Sequence, residues 1–467
     1  MLRFPDGFLW GAATSAYQIE GAGREEGRGE SIWDRFAARP GAIADGSDGS
    51  VACDHYHRWP WDIELMKWLG LGAYRFSIAW PRIFPSGRYQ SNPAGLAFYD
   101  RLVDGLLEAG IEPFVTLYHW DLPQPLEDAG GWASRQTVDT FVEYVDVVTD
   151  LLGDRVRRFI THNEPWCISV LGYAEGLHAP GRRDWPAALA AAHHLLLSHG
   201  LATAVIRQNA PDAEVGITLN LAPAEPASPS AADADACRAF DGAFNRWFLD
   251  PLYGRGYPAD VIADHVEAGH LASHELSFVA PGDLETIAAA TDFLGVNYYS
   301  RAIVRSDRIA EADNAPRVVH PSDERTDIGW EVYPEGLRQL LLRVQGDYAP
   351  PAVYITENGA AYDTAPDEHG RIHDIERQRF LHSHLAAALE ASRAGVPLAG
   401  YFVWSLLDNY EWQEGYRKRF GIVWVDFATQ ERVLKQSATQ YRAIVQANAL
   451  PAVEPHAAHI RRRVLQR

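Results

Sequence analysis

Short apolar segments alternate with longer amphipathic segments along most of this chain. Eight of the short segments are rich in β-branched or aromatic residues and lead into polar residues, which is typical of buried strands entering loops. They are Phe8–Ala12, Ala73–Ala79, Pro113–Leu117, Val156–Thr161, Val215–Leu219, Phe293–Val296, Val353–Thr356 and Ala399–Trp404. The longer segments predict helices over Asp62–Leu69, Gly95–Ala109, Thr137–Leu152, Pro186–Gln208, Glu335–Val344 and Ile375–Ala394. This alternation predicts the α/β class and a single (β/α)8 TIM barrel, whose functional side chains lie at the C-terminal ends of the strands.

An open doubly wound sheet is the alternative fold for such a pattern. That fold usually carries a glycine-rich nucleotide loop, and the sequence contains neither G-x-G-x-x-G nor a P-loop. A chain of 467 residues with 47% hydrophobic residues is long enough for one large barrel. We therefore expect a barrel over residues 1–450, followed by a poorly ordered tail over 451–467.

The charge balance bears on possible partners. A net charge of −20 disfavours nucleic acid and anionic membrane surfaces. The Ala/Leu-rich stretch Trp185–Ile206 is interrupted by histidines, so we expect a soluble core helix and no membrane partner. No signal peptide is recognised, and three cysteines without C-x-x-C spacing (Cys53, Cys167 and Cys237) suit a reducing compartment. These features predict a cytoplasmic protein with a small-molecule substrate, and they leave its oligomeric state undetermined.

Two carboxylate motifs stand at predicted strand ends. They are Thr161-His162-Asn163-Glu164-Pro165 and Ile355-Thr356-Glu357-Asn358-Gly359. A glutamate at the mouth of a buried strand is costly unless something uses it. The barrel would bring both glutamates to one face, which predicts a pair of carboxylates acting together.

Other predicted strand exits carry amide, imidazole or guanidinium groups together with tryptophan. Sugar hydroxyls need paired donors and acceptors, while the C–H face of a sugar ring packs on an indole. These residues are Gln18, Arg75, His119, Trp120, Asn163, Asn297, Tyr299, Trp404, Glu411 and Trp412. Five other tryptophans (Trp10, Trp33, Trp59, Trp61 and Trp68) are interpreted as structural. Two long polar segments, 223–237 and 306–326, are interpreted as loops that could wall a pocket.

Several motifs together resemble one enzyme family. They are the segment Phe8-Leu9-Trp10-Gly11-Ala12-Ala13-Thr14-Ser15-Ala16-Tyr17-Gln18-Ile19-Glu20-Gly21, Tyr74–Trp80, Leu117–Pro123, Asn163-Glu164-Pro165, Asn297-Tyr298-Tyr299, Thr356-Glu357-Asn358-Gly359 and Trp404–Trp412. This set resembles glycoside hydrolase family 1 from about residue 4 to about residue 450. One departure is His162, where a smaller or apolar residue is expected; we expect it to tune the packing behind Glu164.

The resemblance implies a retaining, exo-acting β-glucosidase that uses neither cofactor nor metal. Glu357 would be the nucleophile and Glu164 the general acid/base, with Arg75, Asn297 and Tyr299 beside them. The implied contacts to sugar hydroxyls are Asn163 for the 2-hydroxyl and Gln18, His119 and Trp412 for the 3- and 4-hydroxyls. Glu411 would contact the 4- and 6-hydroxyls, and Phe420 would lie near the 6-position. Trp404 would be a stacking platform for the ring, with Trp120 beside these residues. Trp166, Leu171, His178 and Trp330 would line the aglycone entrance. β-Galactosidase and β-fucosidase side activities are implied as well.

Three other interpretations stay open from the sequence. The pairs His55-x-His57, His193-His194 and His382-x-His384 suggest a metal-dependent amidohydrolase barrel, but no H-E-x-x-H motif is present. A non-catalytic sugar-binding relative would need one glutamate replaced, and both are present. A 6-phospho-β-glucosidase should carry a Ser, Lys and Tyr set after the eighth strand, where this chain has Glu411 and Trp412.

Overall fold

A computed structural model describes residues 2–307 and 322–451 of the chain. Eight parallel strands form a closed barrel in which each strand pairs with the next along the chain and the last pairs with the first. They are β1 (Leu9–Ala13), β2 (Ala73–Ser77), β3 (Glu112–Tyr118), β4 (Arg158–Asn163), β5 (Glu214–Asn220), β6 (Phe293–Asn297), β7 (Val353–Asn358) and β8 (Leu398–Trp404). The prediction of a (β/α)8 barrel is confirmed, and every predicted strand is present within a few residues of its predicted bounds.

Helices cover the outside of the barrel. The longer ones are His55–Leu69, Pro93–Glu108, Gln136–Leu152, Trp185–Asn209, Ala231–Asp241, Ala259–Glu267, Pro334–Tyr348, Ile375–Arg393 and Gln436–Ala447. Shorter helices are Ala16–Ile19, Ile32–Ala37, Trp80–Ile83, Gln124–Asp128, Trp247–Leu252 and Asp283–Ile287, with 3-10 turns at Gly131–Ala133 and Trp412–Glu414 and π-helical turns at Cys167–Ala174 and Gly242–Arg246. All six predicted helices are confirmed, although His55–Leu69 begins seven residues before its predicted start at Asp62.

Within the residues that the structure describes, three short strand pairs lie outside the barrel. Leu2–Arg3 pairs with Ala449–Leu450, Val423–Val425 with Arg432–Leu434, and Ala224–Pro226 with Ala302–Val304. The last pair joins the loops that follow β5 and β6, beside the C-terminal end of the barrel.

Aromatic side chains fill the inside of the barrel. The ring of Phe114 packs edge-on against Phe293, Tyr354 and Phe402, with ring centroids 5.5, 5.2 and 4.9 Å away. Below this layer, at the N-terminal ends of the strands, Arg158 forms ion pairs with Glu112 and Glu214. Because the interior is filled, a ligand can enter only from the C-terminal end.

The Ala/Leu-rich helix Trp185–Asn209 packs into the outer layer of the fold. Within the described part of the chain it is the one helix long and apolar enough to cross a membrane, and 78% of its apolar window is buried inside the structure. It packs against Gln136–Leu152, and its His194 ring nitrogen lies 2.8 Å from the Trp132 carbonyl oxygen. These contacts are those of a core helix.

Two interpretations from the sequence need correction. Trp61 and Trp68 are not core residues: their side chains are 65% and 37% exposed because they lie on the outer face of His55–Leu69, and Trp68 packs under the guanidinium of Arg442. The segment 223–237 is only partly a loop, because it contains Ala224–Pro226 and the start of Ala231–Asp241. Most of the second polar segment (308–321) and of the tail (452–467) lies outside the described residues.

Candidate active site

A cavity of about 660 Å³ opens at the C-terminal ends of the barrel strands. Both motif glutamates line it, so the fold brings together two carboxylates that are 193 positions apart in sequence. Predicted site residues on its wall are His119, Trp120, Glu164, Trp166, Leu171, His178, Asn297, Tyr299, Trp330, Glu357, Trp404, Glu411, Trp412 and Phe420. The other three, Gln18, Arg75 and Asn163, are fully buried and do not line the cavity.

Glu357 is held by two donors, one on another strand of the barrel and one in the loop after β6. It lies near the end of β7, beside Asn297 on β6. The Arg75 guanidinium on β2 donates to Oε1 at 2.7 Å, and the Tyr299 hydroxyl donates to Oε2 at 2.6 Å. Both carboxylate oxygens therefore accept a hydrogen bond, which favours the ionised form of Glu357.

Glu164 follows β4 and has a left-handed backbone, with φ 51°. Its amide donates to the Thr218 carbonyl oxygen at 2.9 Å, which fixes the turn. The Asn297 side-chain amide donates to Oε1 of Glu164 at 2.6 Å, and the Thr356 hydroxyl donates to Oδ1 of Asn297 at 2.8 Å. The contact with Thr356 fixes the orientation of the Asn297 side-chain amide, so that its NH2 group points at Glu164.

The two carboxyls have different electrostatic surroundings. Burial, together with the negative charge of Glu357, raises the pKa of Glu164 to about 8. Burial also raises the pKa of Glu357, but the Arg75 guanidinium and the Tyr299 hydroxyl oppose that shift. At neutral pH the arrangement therefore places a proton on Glu164 and the negative charge on Glu357, the division that an acid and a nucleophile require.

Asn163 contacts Arg75, His119 and Asn297, and these residues with the two glutamates form the floor of the site. Its Oδ1 accepts from Arg75 Nη2 at 2.6 Å and from the Asn297 amide at 3.1 Å, while its Nδ2 lies 3.1 Å from Nε2 of His119. Burial and the charge of Arg75 lower the pKa of His119 well below its usual value, so the ring is neutral. Its Nδ1 has no partner among the described residues, which leaves that atom for a ligand.

An aromatic and acidic surface forms one side of the floor. Trp120 and Trp412, with φ 77° and 48°, face each other with ring centroids 4.5 Å apart, and Trp33 packs behind Trp412 at 4.6 Å. Burial, then the charges of Glu357 and Glu164, raise the pKa of Glu411 well above its usual value. Its Oε2 has no partner within the described ranges, so it is a second polar atom open to a ligand.

Gln18 is more tightly engaged than the sequence suggests. Its Nε2 donates to Asn409 Oδ1 at 3.1 Å and to the Tyr410 carbonyl oxygen at 2.9 Å, and its Oε1 accepts from Ser15 at 2.6 Å. Both amide hydrogens are used, so a sugar hydroxyl would reach only the remaining lone pair of Oε1. Its role in substrate binding stays a prediction.

The cavity entrance is mainly aromatic, and part of it was missed in the sequence. Phe240 and Phe244 stack with centroids 5.2 Å apart, and Phe244 packs on Trp166 at 4.5 Å. Across the cavity, Trp330 contacts Tyr299 and Phe420 at 5.1 and 6.1 Å. The signal for the missed pair is its spacing of four residues, which places both rings on one side of a helix.

His162 and the histidine pairs have structural contacts. His162 is buried, stacks on Phe141 at 4.5 Å and lies 2.8 Å from the Ser198 hydroxyl, while the influence on Glu164 expected for it stays a prediction. His55 pairs with Asp62, and His193 pairs with Asp283. Over residues 2–307 and 322–451, no group of three potential ligands is arranged to hold a metal ion.

Comparisons with known proteins agree with this geometry. The chain is 48% identical over 450 residues to β-glucosidase A of Thermotoga maritima, covering 96% of this chain and 99% of that protein. It is 42% identical to a bifunctional β-D-glucosidase/β-D-fucosidase of Bifidobacterium breve, covering 95% and 98%. The solved family 1 β-glucosidase of T. maritima superposes with a TM-score of 0.91 at 47% identity, covering 97% and 100%. The family model for glycosyl hydrolase family 1 matches residues 1–450, and the chain belongs to that family.

Proposed function

We propose that the protein is a retaining, exo-acting β-glucosidase that hydrolyses terminal β-D-glucosyl residues of short oligosaccharides and of aryl and alkyl glucosides. The observation that carries the proposal is the asymmetry of the two glutamates. Glu357 accepts hydrogen bonds from Arg75 and Tyr299, whereas Glu164 has a pKa raised to about 8. Relatives named β-glucosidase over nearly their whole length support the same substrate class.

In the first step, an ionised Glu357 oxygen attacks the anomeric carbon as the bond from that carbon to the leaving oxygen breaks. Glu164 gives its proton to the departing oxygen, so the aglycone leaves as an alcohol. The Asn297 amide occupies Oε1 of Glu164, and the acidic proton is therefore carried on Oε2. The product is a glycosyl ester of Glu357.

In the second step, water replaces the aglycone. Esterification removes the negative charge of Glu357, and the pKa of Glu164 falls because repulsion no longer adds to the effect of burial. Glu164 then takes a proton from water as the water oxygen attacks the anomeric carbon. The ester bond breaks, β-glucose leaves, and both glutamates return to their starting states.

The closed floor favours exo action. The aromatic layer around Phe114 fills the barrel below the site, so a polysaccharide cannot pass through it. A terminal glucosyl residue entering from the C-terminal end would place its hydroxyls near Asn163, His119 and Glu411. The apolar entrance formed by Trp166, Phe244 and Trp330 suits aryl, alkyl or single-sugar leaving groups.

Galactosides and fucosides are proposed as secondary substrates. Glu411 offers two oxygens, and Oε2 is unpartnered among the described residues, so it can follow a 4-hydroxyl in either orientation. Fucose lacks the 6-hydroxyl and would face Phe420, which lines this part of the cavity. The B. breve relative whose name includes β-D-fucosidase supports this choice.

A phosphorylated glycone fits this site poorly. The pKa of Glu411 is raised well above its usual value, so this carboxyl can be protonated and need not itself repel a phosphate. A phosphate dianion beside Glu411 would nevertheless lie near the carboxyl groups of Glu357 and Glu164. Lys418, in the segment after β8, donates to the Asp327 carbonyl oxygen and does not line the cavity. We expect glucoside 6-phosphates to be inert.

The test is trapping of the covalent intermediate. A 2-deoxy-2-fluoroglucosyl donor with a dinitrophenyl leaving group should inactivate the enzyme and add one glycosyl mass to the peptide containing Glu357. NMR should show the β-anomer as the first product. Glu414→Gln is a matched control, since Glu414 lines the cavity but pairs with Arg417 at 3.0 Å. Appearance of the α-anomer, or a label on another residue, would overturn the retaining mechanism.

A further inference from the structure

The thiol of Cys167 contacts the acid/base carboxyl and has no part in the steps above. Cys167 lies three residues after Glu164, which puts the two side chains on the same side of the turn that opens the π-helical segment Cys167–Ala174. Its Sγ lies 3.2 Å from Oε2 of Glu164, and the residue lines the cavity while only 8% exposed. This is a direct contact with the oxygen that carries the proton.

The direction of this hydrogen bond follows from the surroundings of the sulfur. Burial and the neighbouring Glu164 raise the pKa of Cys167 well above its usual value, so the thiol keeps its hydrogen. The Asn220 amide donates to Sγ at 3.5 Å and occupies the accepting side of the sulfur. The S–H hydrogen is thereby left to point at Oε2 of Glu164.

The two oxygens of Glu164 therefore have different donors. Oε1 accepts from the Asn297 amide at 2.6 Å, and Oε2 accepts from the thiol. The thiol bond forms when Oε2 is ionised and is lost when Oε2 carries the proton. A donor of this kind favours the ionised carboxylate, and a thiol does so more weakly than a hydroxyl.

We propose that Cys167 is a positioning residue that holds Oε2 of Glu164 toward the substrate and sets the pH range over which this carboxyl exchanges its proton. The proposal rests on the proposed function, in which Glu164 is acid in one step and base in the next. A weak donor helps the base step without withholding the proton needed in the acid step. A hydroxyl at this position would favour the base form too strongly, and an alkyl group would favour the acid form.

Other charged or titratable groups also face Glu164 and must stay constant in a test. They come from the other strands and loops around the cavity and are Glu357, Arg75, Tyr299 and Glu411. Arg75 favours the ionised form of Glu164, and Glu357 disfavours it. None of these four changes when only the sulfur is replaced, so a shift in pH dependence can be assigned to residue 167.

The experiment compares Cys167→Ser, Cys167→Val and the parent enzyme. Cys237→Val is the control, because Cys237 is half-buried on Ala231–Asp241 and does not line the cavity. The alkaline limb of kcat/KM for p-nitrophenyl β-glucoside reports the proton on Glu164. We expect this alkaline limb to move to higher pH by about half a unit in Cys167→Val and to lower pH by about half a unit in Cys167→Ser. Cys237→Val should leave it in place.

A second readout separates this role from a merely structural one. The leaving group of 2,4-dinitrophenyl β-glucoside needs no proton, so we expect the second step to limit kcat on this substrate and the acidic limb of kcat to report Glu164 as base. That limb should move in the same direction as the alkaline limb in each variant. The proposal is overturned if both limbs of the pH profiles stay in place. This conclusion holds whether or not the maximum rate falls and whether or not Tm is lowered. If Glu164→Ala itself keeps parental activity on p-nitrophenyl glucoside, the proposed function fails instead.

Discussion

The floor and the entrance of the cavity are built in opposite ways. On the floor, Arg75, Asn163 and Asn297 are joined to both glutamates by hydrogen bonds between 2.6 and 3.1 Å. At the entrance, Trp166, Phe244 and Phe240 contact one another through ring faces. The floor fixes angles and charges, whereas the entrance supplies apolar area that tolerates different shapes. Changes on the floor should therefore alter rate, and changes at the entrance should alter selectivity.

The largest effect is expected at Glu357, the proposed nucleophile. Glu357→Ala should lower turnover on the order of 10⁴-fold or more, because no covalent intermediate can form. Glu164→Ala should lose most of its kcat/KM on alkyl glucosides yet keep much more on dinitrophenyl glucoside, whose leaving group needs no proton in the first step. The kcat/KM values of both substrates measure this contrast, because kcat/KM does not include the second step, in which Glu164 is proposed to act as base. Equal losses on both substrates in Glu164→Ala would remove its assignment as the acid.

Removing one floor hydrogen bond should have the next largest effect. Tyr299→Phe deletes the donor to Glu357 Oε2, so kcat/KM should fall between about 10- and 100-fold. The lost bond favoured the ionised carboxylate, and its loss raises the pKa of Glu357. Activity requires that ionised form, so the acidic limb of kcat/KM should move to higher pH. A limb that stays in place would show that Tyr299 acts elsewhere. Tyr89→Phe, at an exposed position, is the control.

A smaller effect is expected at Glu411, which we propose contacts one edge of the sugar. Glu411→Gln keeps the shape but removes the carboxyl that would bind the 4- and 6-hydroxyls. We expect kcat/KM for glucosides to fall about tenfold and for fucosides to fall less, because fucose lacks the 6-hydroxyl. The ratio of the two efficiencies is the measurement. An unchanged ratio would place the 6-hydroxyl away from Glu411.

The smallest effect should come from the entrance. Phe244→Ala removes one ring from the aromatic wall, and KM for aryl glucosides should rise about 3- to 10-fold. Methyl glucoside, whose aglycone is too small to reach the wall, should be hydrolysed at nearly the parental rate. Tyr89→Ala controls for the loss of an aromatic side chain that is exposed and does not line the cavity. A fall in kcat on methyl glucoside would break the distinction between floor and entrance.

The floor could be predicted from the sequence more fully than the entrance. Glu164 and Glu357 end apolar strands, and a closed parallel barrel places such strand ends on one face, so their meeting follows from the fold. Phe240 lies at the end of the helix Ala231–Asp241 and Phe244 in the π-helical turn Gly242–Arg246, in a connecting segment interpreted as a loop up to residue 237. Their spacing of four residues indicates that both rings lie on one side of a helix, but it does not indicate that this side faces the cavity.

Outside the barrel, the type of a residue alone does not predict whether its side chain is buried. The sequence analysis interprets Trp61 and Trp68 as structural, since most tryptophans are buried. In the structure, other residues form the face of helix His55–Leu69 that packs inward, including Ile63, Met66 and Leu69. Cys167 is buried, and its contact with Glu164 depends on the backbone of the turn after β4, which its sequence spacing from other cysteines does not indicate.

Three residues of the site, Trp120, Glu164 and Trp412, have positive φ angles of 77°, 51° and 48°. Side chains other than glycine adopt this backbone at a cost on the order of 1–3 kcal/mol each, so the surrounding barrel must hold them there. Glu164 adds the cost of burying a carboxyl beside another one. Stability and activity therefore oppose each other at this position. A Glu164→Gly enzyme is expected to unfold at a higher temperature than its parent while no longer hydrolysing unactivated glucosides.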